Sequence, residues 1–188
     1  MKRNLLFSFI EKYSLGGSIE SVAWEFKNNV VSTRVCSDDR TLVGEISYNN
    51  FEGTGFDSQK IGVYHTSRLL KLLSIASDEL DVSLTSAGNK PISIKVLSKD
   101  NGLKASFALA DLAVIQNVPA LKYVPDVFEL SININSEFIN TFVKAKNALP
   151  DSTTFAIKTT DNSASIVLGQ TDVNMDNITI PIQAKDVE

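Results

Sequence analysis

The chain is organised by a recurring order of apolar and polar positions, clearest between Phe128 and Ile182. Phe128-Glu-Leu-Ser-Ile-Asn-Ile134 alternates and predicts a strand, followed by a cap at Asn135-Ser136. Phe138, Phe142, Ala145 and Leu149 then recur on one helical face, and Pro150 stops the helix. Three short β-runs follow at Thr154–Thr159, Ala164–Gly169 and Asn177–Ile182. The same motif is legible twice earlier. Residues 4–13 predict a helix with Leu6, Phe9, Ile10 and Tyr13 buried, ended by Gly16-Gly17. Strands follow at Ser21–Phe26, Val30–Cys36 and Thr41–Tyr48, with Trp24 in phase with Val22 and Phe26 and so facing the core. Next come a strand at Lys60–Tyr64 and a helix capped by Thr66 or Ser67 and running to Ala76, with Leu69, Leu72, Leu73 and Ala76 inward. Strands at Leu80–Thr85, Ile92–Leu97 and Leu103–Leu109 complete it, and Asp100-Asn101-Gly102 marks a tight turn between the last two.

Ala113–Asp126 breaks the pattern. Pro119 and Pro125 sit among Val118, Leu121, Tyr123 and Val124, which predicts an extended connector. The implied organisation is a first domain of two motifs (1–112), a connector (113–126), and a half domain of one motif (127–188). A lone helix-plus-sheet motif leaves its underside wet. The expectation is therefore a shortened chain whose last motif is missing, or a neighbour that covers that underside. The fold class is α+β, with helices on one face of antiparallel sheets.

Composition narrows the function. At 188 residues with 43% apolar and 21% charged residues, the chain is an ordinary globular protein. One cysteine, Cys36, allows no internal disulfide and suits a reducing compartment. The apolar start is broken by Glu11-Lys12 and lacks a cleavage site, and no run is long enough to span a membrane; a soluble, cytoplasmic protein is expected. Catalytic chemistry is hard to assemble. His65 is the one histidine, and nothing orients it toward Cys36. Cys/His metal spacing and phosphate loops are missing, Gly53-Thr-Gly55 is no dinucleotide fingerprint, and Asp38-Asp39 beside Arg40 reads as a solvated turn. No catalytic residue, metal or cofactor is expected, and the chain is not read as an enzyme.

Charge is distributed unevenly. The three helices with their first flanking residues carry Lys2, Arg3, Lys12, Arg68, Lys71, Lys144 and Lys146 against Glu11 and Glu137. That is +5 on the helices of a chain with net charge -4, leaving -9 elsewhere. If the helices share one side of the sheets, a basic face sits on an acidic body and attracts phosphate backbones without reading bases.

Repeated strand–helix–strand motifs, a proline-containing connector in mid-chain and basic helices together resemble the DNA sliding clamps, and the segment order is most similar to the clamp of tailed phages. The likeness is carried by Ile61–Ala76, Asn89–Leu97, and Phe128–Ile182 with its helix Ser136–Leu149. It implies a polymerase processivity factor that closes head to tail as a homo-oligomeric ring, a trimer when full length, with helices lining a hole for duplex DNA. It implies that Lys2, Arg3, Lys12, Arg68, Lys71, Lys144 and Lys146 face DNA. Edge strands near Ser106–Leu112 and Asn177–Ile182 would join subunits. Tails of the polymerase and clamp loader would dock in a groove by the connector, formed by Val35, Leu42, Leu121, Tyr123 and Val124. A phage-encoded clamp would work in the host cytoplasm. The alternative reading is a β-rich structural or assembly protein of a virus or bacterium, whose basic helices are merely solvated.

Overall fold

Four side chains of one helical face start the core. Helix α1 (Arg3–Ser14) buries Leu6, Phe9, Ile10 and Tyr13, the i, i+3, i+4, i+7 set read from the sequence. Leu15 (φ 48°) and Gly16 (φ 68°) then turn left-handed and end it. Strands β1 (Ser21–Lys27), β2 (Val30–Cys36), β3 (Val43–Tyr48), β4 (Gly53–Thr54) and β5 (Lys60–Tyr64) follow. Helix α2 (Thr66–Ser74) and strands β6 (Leu80–Ala87), β7 (Lys90–Ser98) and β8 (Lys104–Ala108) come next. The computed structural model describes residues 1–118, 120, 130–160, 163–169, 176–182 and the backbone of 184–185. The chain divides into two compact units, Met1–Lys122 and Tyr123–Glu188.

The first unit holds two four-stranded sheets, ordered β3-β2-β1-β5 and β4-β6-β7-β8. Ladders are antiparallel except β4 with β6. Asn28 (φ 51°) and Asn29 (φ 59°) make the two-residue turn between β1 and β2, since both places of a type I′ turn need positive φ and asparagine tolerates it. Val22, Trp24 and Phe26 point inward beneath the helices. Rings of Phe9, Tyr13, Trp24, Phe26, Phe51 and Phe56 form a continuous run, neighbouring centroids lying 4.7 to 6.3 Å apart.

The two motifs of this unit pair reciprocally. β5, which opens the second motif, lies antiparallel on β1, from Ser21 opposite Tyr64 to Glu25 opposite Lys60. The opening residues of the first motif return the contact: Lys2 bridges Glu79, and Leu80 N donates to the Met1 carbonyl at 2.9 Å. α1 and α2 run antiparallel, with Tyr13 Oη 3.3 Å from Thr66 Oγ1 at one end. At the other end the Arg3 guanidinium meets Asp78 at 2.9 Å and the Ser74 carbonyl at 3.3 Å. This is a local twofold relation.

The start of α2 differs from expectation. Neither Thr66 nor Ser67 is its cap; His65 occupies that position at φ 62° and contributes no side-chain bond. Glu20 does the work from 47 residues away, its carboxylate accepting from Ser67 N at 3.0 Å and from the Ser67 hydroxyl. The buried Thr66 hydroxyl donates to the Glu20 carbonyl at 3.2 Å. The helix stops at Ser74, although Ala76 is still buried.

The second unit contains β9 (Ser131–Ile132), α3 (Ser136–Ala148), β10 (Phe155–Thr160), β11 (Ser163–Leu168), β12 (Ile178–Ile182) and β13 (Ala184–Lys185). Asn135 caps α3 by accepting from Phe138 N at 2.8 Å. Ala145, Ala164, Ile166, Leu168, Ile180 and Ile182 make a small core, with Phe138, Phe142 and Leu149 partly buried on it. The expected strand Phe128–Ile134 shortens to Ser131–Ile132, residues 128 and 129 lying outside the described set. Beyond Ile182, Ala184 and Lys185 pair with Ile132 and Ser131.

Candidate nucleic-acid interface and connector cleft

On the helix side of the first unit, Lys2, Lys12, Arg68 and Lys71 are exposed and carry no ion pair among the described residues. Arg68 and Lys71, three residues apart, project from one side of α2, away from the buried Leu69 and Leu73. Arg3 is different. Its pairing with Asp78 and Ser74 braces α1 against the end of α2, so its charge is spent within the protein. Lys144 is exposed on α3, and half-buried Lys146 donates to the Pro150 carbonyl at 2.9 Å.

The outer faces of the two sheets carry both signs of charge. Arg34 meets Glu45 at 2.9 Å, Lys60 meets Glu25 at 2.5 Å, and Lys99 meets Asp81 at 3.3 Å. Glu45 holds the Arg34 guanidinium above its usual pKa. Lys95 and Lys104 are also exposed there, on β7 and β8. Cations without an ion pair among the described residues therefore lie on the helices and on the sheet exterior alike, and the exterior is mixed rather than acidic.

A cleft of about 380 Å³ lies on the outer face of the first sheet. Ala23 on β1 lines it, and beside Ala23 on β5 lies Gly62. At Gly62 an added Cβ would stand 2.7 Å from the Ala110 carbonyl oxygen and 3.0 Å from Ile115 Cγ1, so glycine admits the chain that crosses here. Ala110 N donates to the Gly62 carbonyl at 2.9 Å, and Ile115 is buried to 7% exposure. Asp111 starts a short 3-10 turn, Leu112–Val114, by accepting from Ala113 N at 3.0 Å. That bond and the adjacent Lys90 ammonium hold its carboxyl below the usual range. The connector thus begins as an anchored turn rather than as the extended chain expected. Arg34, Glu45, Glu25 and Lys60 rim the cleft opposite Leu112, Ile115 and Val118.

The residues expected to form a partner groove do not line this cleft. Val35 is a core residue, in phase with Val31 and Thr33 beneath the helices. Leu42 is exposed beside β3, where its N–H and carbonyl close the Ser37 loop. Leu121, Tyr123 and Val124 lie outside the described residues. A glycine inside a strand was the available signal for the close crossing of the connector over β5.

β8 and β12 are both terminal strands of their sheets. The free edge at β8 is shorter than Ser106–Leu112, because Ala110 N, facing away from β7, bonds the Gly62 carbonyl. Among the described residues no group of three or more His, Cys, Asp or Glu gathers as a metal site, and no helix is long and apolar enough to cross a membrane.

Antiparallel sheets under paired helices, in a repeated motif, define the fold as that of the DNA sliding clamps. Solved structures share it, among them the following two. One is the Proliferating Cellular Nuclear Antigen of Entamoeba histolytica, with TM-score 0.73 and 13% identity, over 98% of this chain and 74% of that one. The other is the PCNA2-PCNA3 complex of Sulfolobus tokodaii, with TM-score 0.64 and 13% identity, over 96% and 70% of the two chains. No protein-family model matches the chain, and no curated protein matches it by sequence.

Proposed function

We propose that the chain is a subunit of a DNA sliding clamp, a non-enzymatic processivity factor that encircles duplex DNA and tethers a polymerase. The observation that carries the reading is the set of unpaired cations, Lys12, Arg68 and Lys71, on antiparallel helices of a clamp fold. Sliding requires attraction without a preferred register. Flexible lysines and arginines facing phosphates supply that, because counterion release is independent of base sequence. Lys2 and Lys144 join this surface in the reading, while Arg3 and Lys146 serve the protein itself.

In this reading residues 1–112 are the first clamp domain, 113–126 the connector, and 127 onward the start of a second. Subunits close head to tail through the edges of β8 and β12 as a homo-oligomer, a trimer in this reading. Tails of the polymerase and clamp loader dock in the connector cleft, where Leu112, Ile115 and Val118 face the charged pairs Arg34–Glu45 and Lys60–Glu25. In this reading the chain is a clamp of the tailed-phage kind and works in the cytoplasm of an infected cell. Retention on DNA tests it. After loading, a ring stays on closed circular duplex and leaves the same duplex once it is linearised. Equal loss from both refutes topological binding.

A further inference from the structure

One surface hollow joins the cations of α2 to an exposed aromatic pair. It measures about 490 Å³, lies where β5 passes into α2, and is lined by Glu20, His65, Ser67, Arg68 and Lys71. His65 is its unusual member. It holds the cap position of α2, where Ser, Thr, Asp or Asn serve best, yet its side chain makes no bond there. Its backbone is left-handed, at φ 62°, which is a strained conformation for a residue with a side chain. Glu20 does the capping in its place. Neither the helix nor the core accounts for the imidazole, which is exposed. Its ring meets that of Tyr64, with centroids 4.2 Å apart and planes at 68°. Tyr64 is itself 46% exposed, in phase with Lys60 and Gly62 on β5. An edge-to-face pair occupies one face of one ring, so the other ring faces are left for a further π system.

Aromatic faces beside flexible cations are the combination that holds a single-stranded nucleic acid, because bases stack on the rings while the cations follow the phosphates. A duplex uses only the second half of that combination, since its bases are stacked on one another and closed to a side-chain ring. The Glu20 carboxylate shares the hollow. It turns phosphate away from its own side and can accept from the amino group of a base. We propose that Tyr64, His65, Arg68 and Lys71 form a site for single-stranded DNA. An unpaired base stacks on the His65–Tyr64 pair, and its flanking phosphates meet Arg68 and Lys71. The site rests on the DNA-binding reading, and it adds the unpaired strand to the duplex as a ligand of the α2 surface.

Fluorescence anisotropy of the full chain tests it, with a short labelled single strand of mixed sequence and, separately, with the duplex of that sequence. His65→Asn removes the ring but keeps a residue that tolerates the left-handed backbone. The expected result is a loss of about fivefold or more in affinity for the single strand, the scale of one stacked base. Affinity for the duplex and its salt slope stay unchanged. Tyr64→Ala weakens the single strand in the same selective way, and His65→Tyr, which restores a ring, restores binding. A purely structural role for His65 would weaken both ligands alike and would not be rescued by a ring of different chemistry. Circular dichroism verifies that each variant is folded. Unchanged single-strand affinity in His65→Asn, or equal losses on both ligands, overturns the proposal. If Lys12→Ala/Arg68→Ala/Lys71→Ala still weakens the duplex in that case, the clamp reading stands. No binding of either ligand by the unaltered chain overturns both.

Discussion

Replacing Gly62 by valine tests how the connector is held. The Cβ alone would stand 2.7 Å from the Ala110 carbonyl oxygen and 3.0 Å from Ile115 Cγ1, and two further methyl groups have no space. The backbone of β5 is fixed by its ladder with β1, so the connector must lift. Lifting exposes Ile115, worth about 1.5–3 kcal/mol of burial. It also breaks the bond from Ala110 N to the Gly62 carbonyl, worth roughly 0.5–1.5 kcal/mol. Valine returns up to about 1 kcal/mol through strand preference and a stiffer unfolded chain. The net loss is about 2–3 kcal/mol, or a fall in Tm of roughly 8–12 °C for a unit of this size. Thermal unfolding followed by circular dichroism measures the loss, and hydrogen exchange at Ala110 and Ile115 localises it. A variant with unchanged Tm and unchanged protection at those two amides would show that the close approach carries no weight.

Three other outcomes are expected. Glu20→Ala removes the carboxylate that caps α2 from Ser67 and should cost about 1 kcal/mol; urea titration reads it, and a loss near zero refutes the capping role. Lys12→Ala/Arg68→Ala/Lys71→Ala should weaken binding to duplexes of any sequence, lowering the slope of log affinity against log salt by about 0.9 for each phosphate no longer neutralised; fluorescence anisotropy measures it, and an unchanged slope argues against a DNA-facing role. Asp111 has a carboxyl pKa below its ordinary value of 3.8 through Ala113 N–H and Lys90. Its support for the connector turn is therefore complete above that ordinary value and is lost as pH falls through the depressed one. Hydrogen exchange at Ala113 should rise there relative to neighbouring amides, and Asp111→Asn should remove the pH dependence.

Periodic features were readable from the chain itself. The buried stripe of α1, the inward phase of Trp24 and the Asn28-Asn29 turn follow from local spacing and backbone preference. Contacts between distant residues were not readable. Glu20 caps a helix far along the chain, and β13 returns to β9, neither of which leaves a local pattern. Val35 shows where reading residue type misleads. Its alternation with Val31 and Thr33 places it inside, whereas its apolar character near a loop suggests a surface groove. Counting charge by element locates Arg68 and Lys71 correctly on a helix, yet it cannot show that Arg3 is neutralised by Asp78. The crossing of the connector over β5 leaves little trace in the sequence because it depends on the side chain that Gly62 lacks.

Trp24 is the sole tryptophan of the chain and lies fully enclosed in the first unit, with the ring of Tyr13 centred 6.2 Å away. Light absorbed by that tyrosine will pass to the indole, whose apolar surroundings shift its emission to the blue. The intrinsic fluorescence of this protein is consequently an optical readout of one half of the molecule. Melting of Tyr123–Glu188 will leave the blue-shifted band in place, so comparing it with far-ultraviolet dichroism separates the two transitions without any added label.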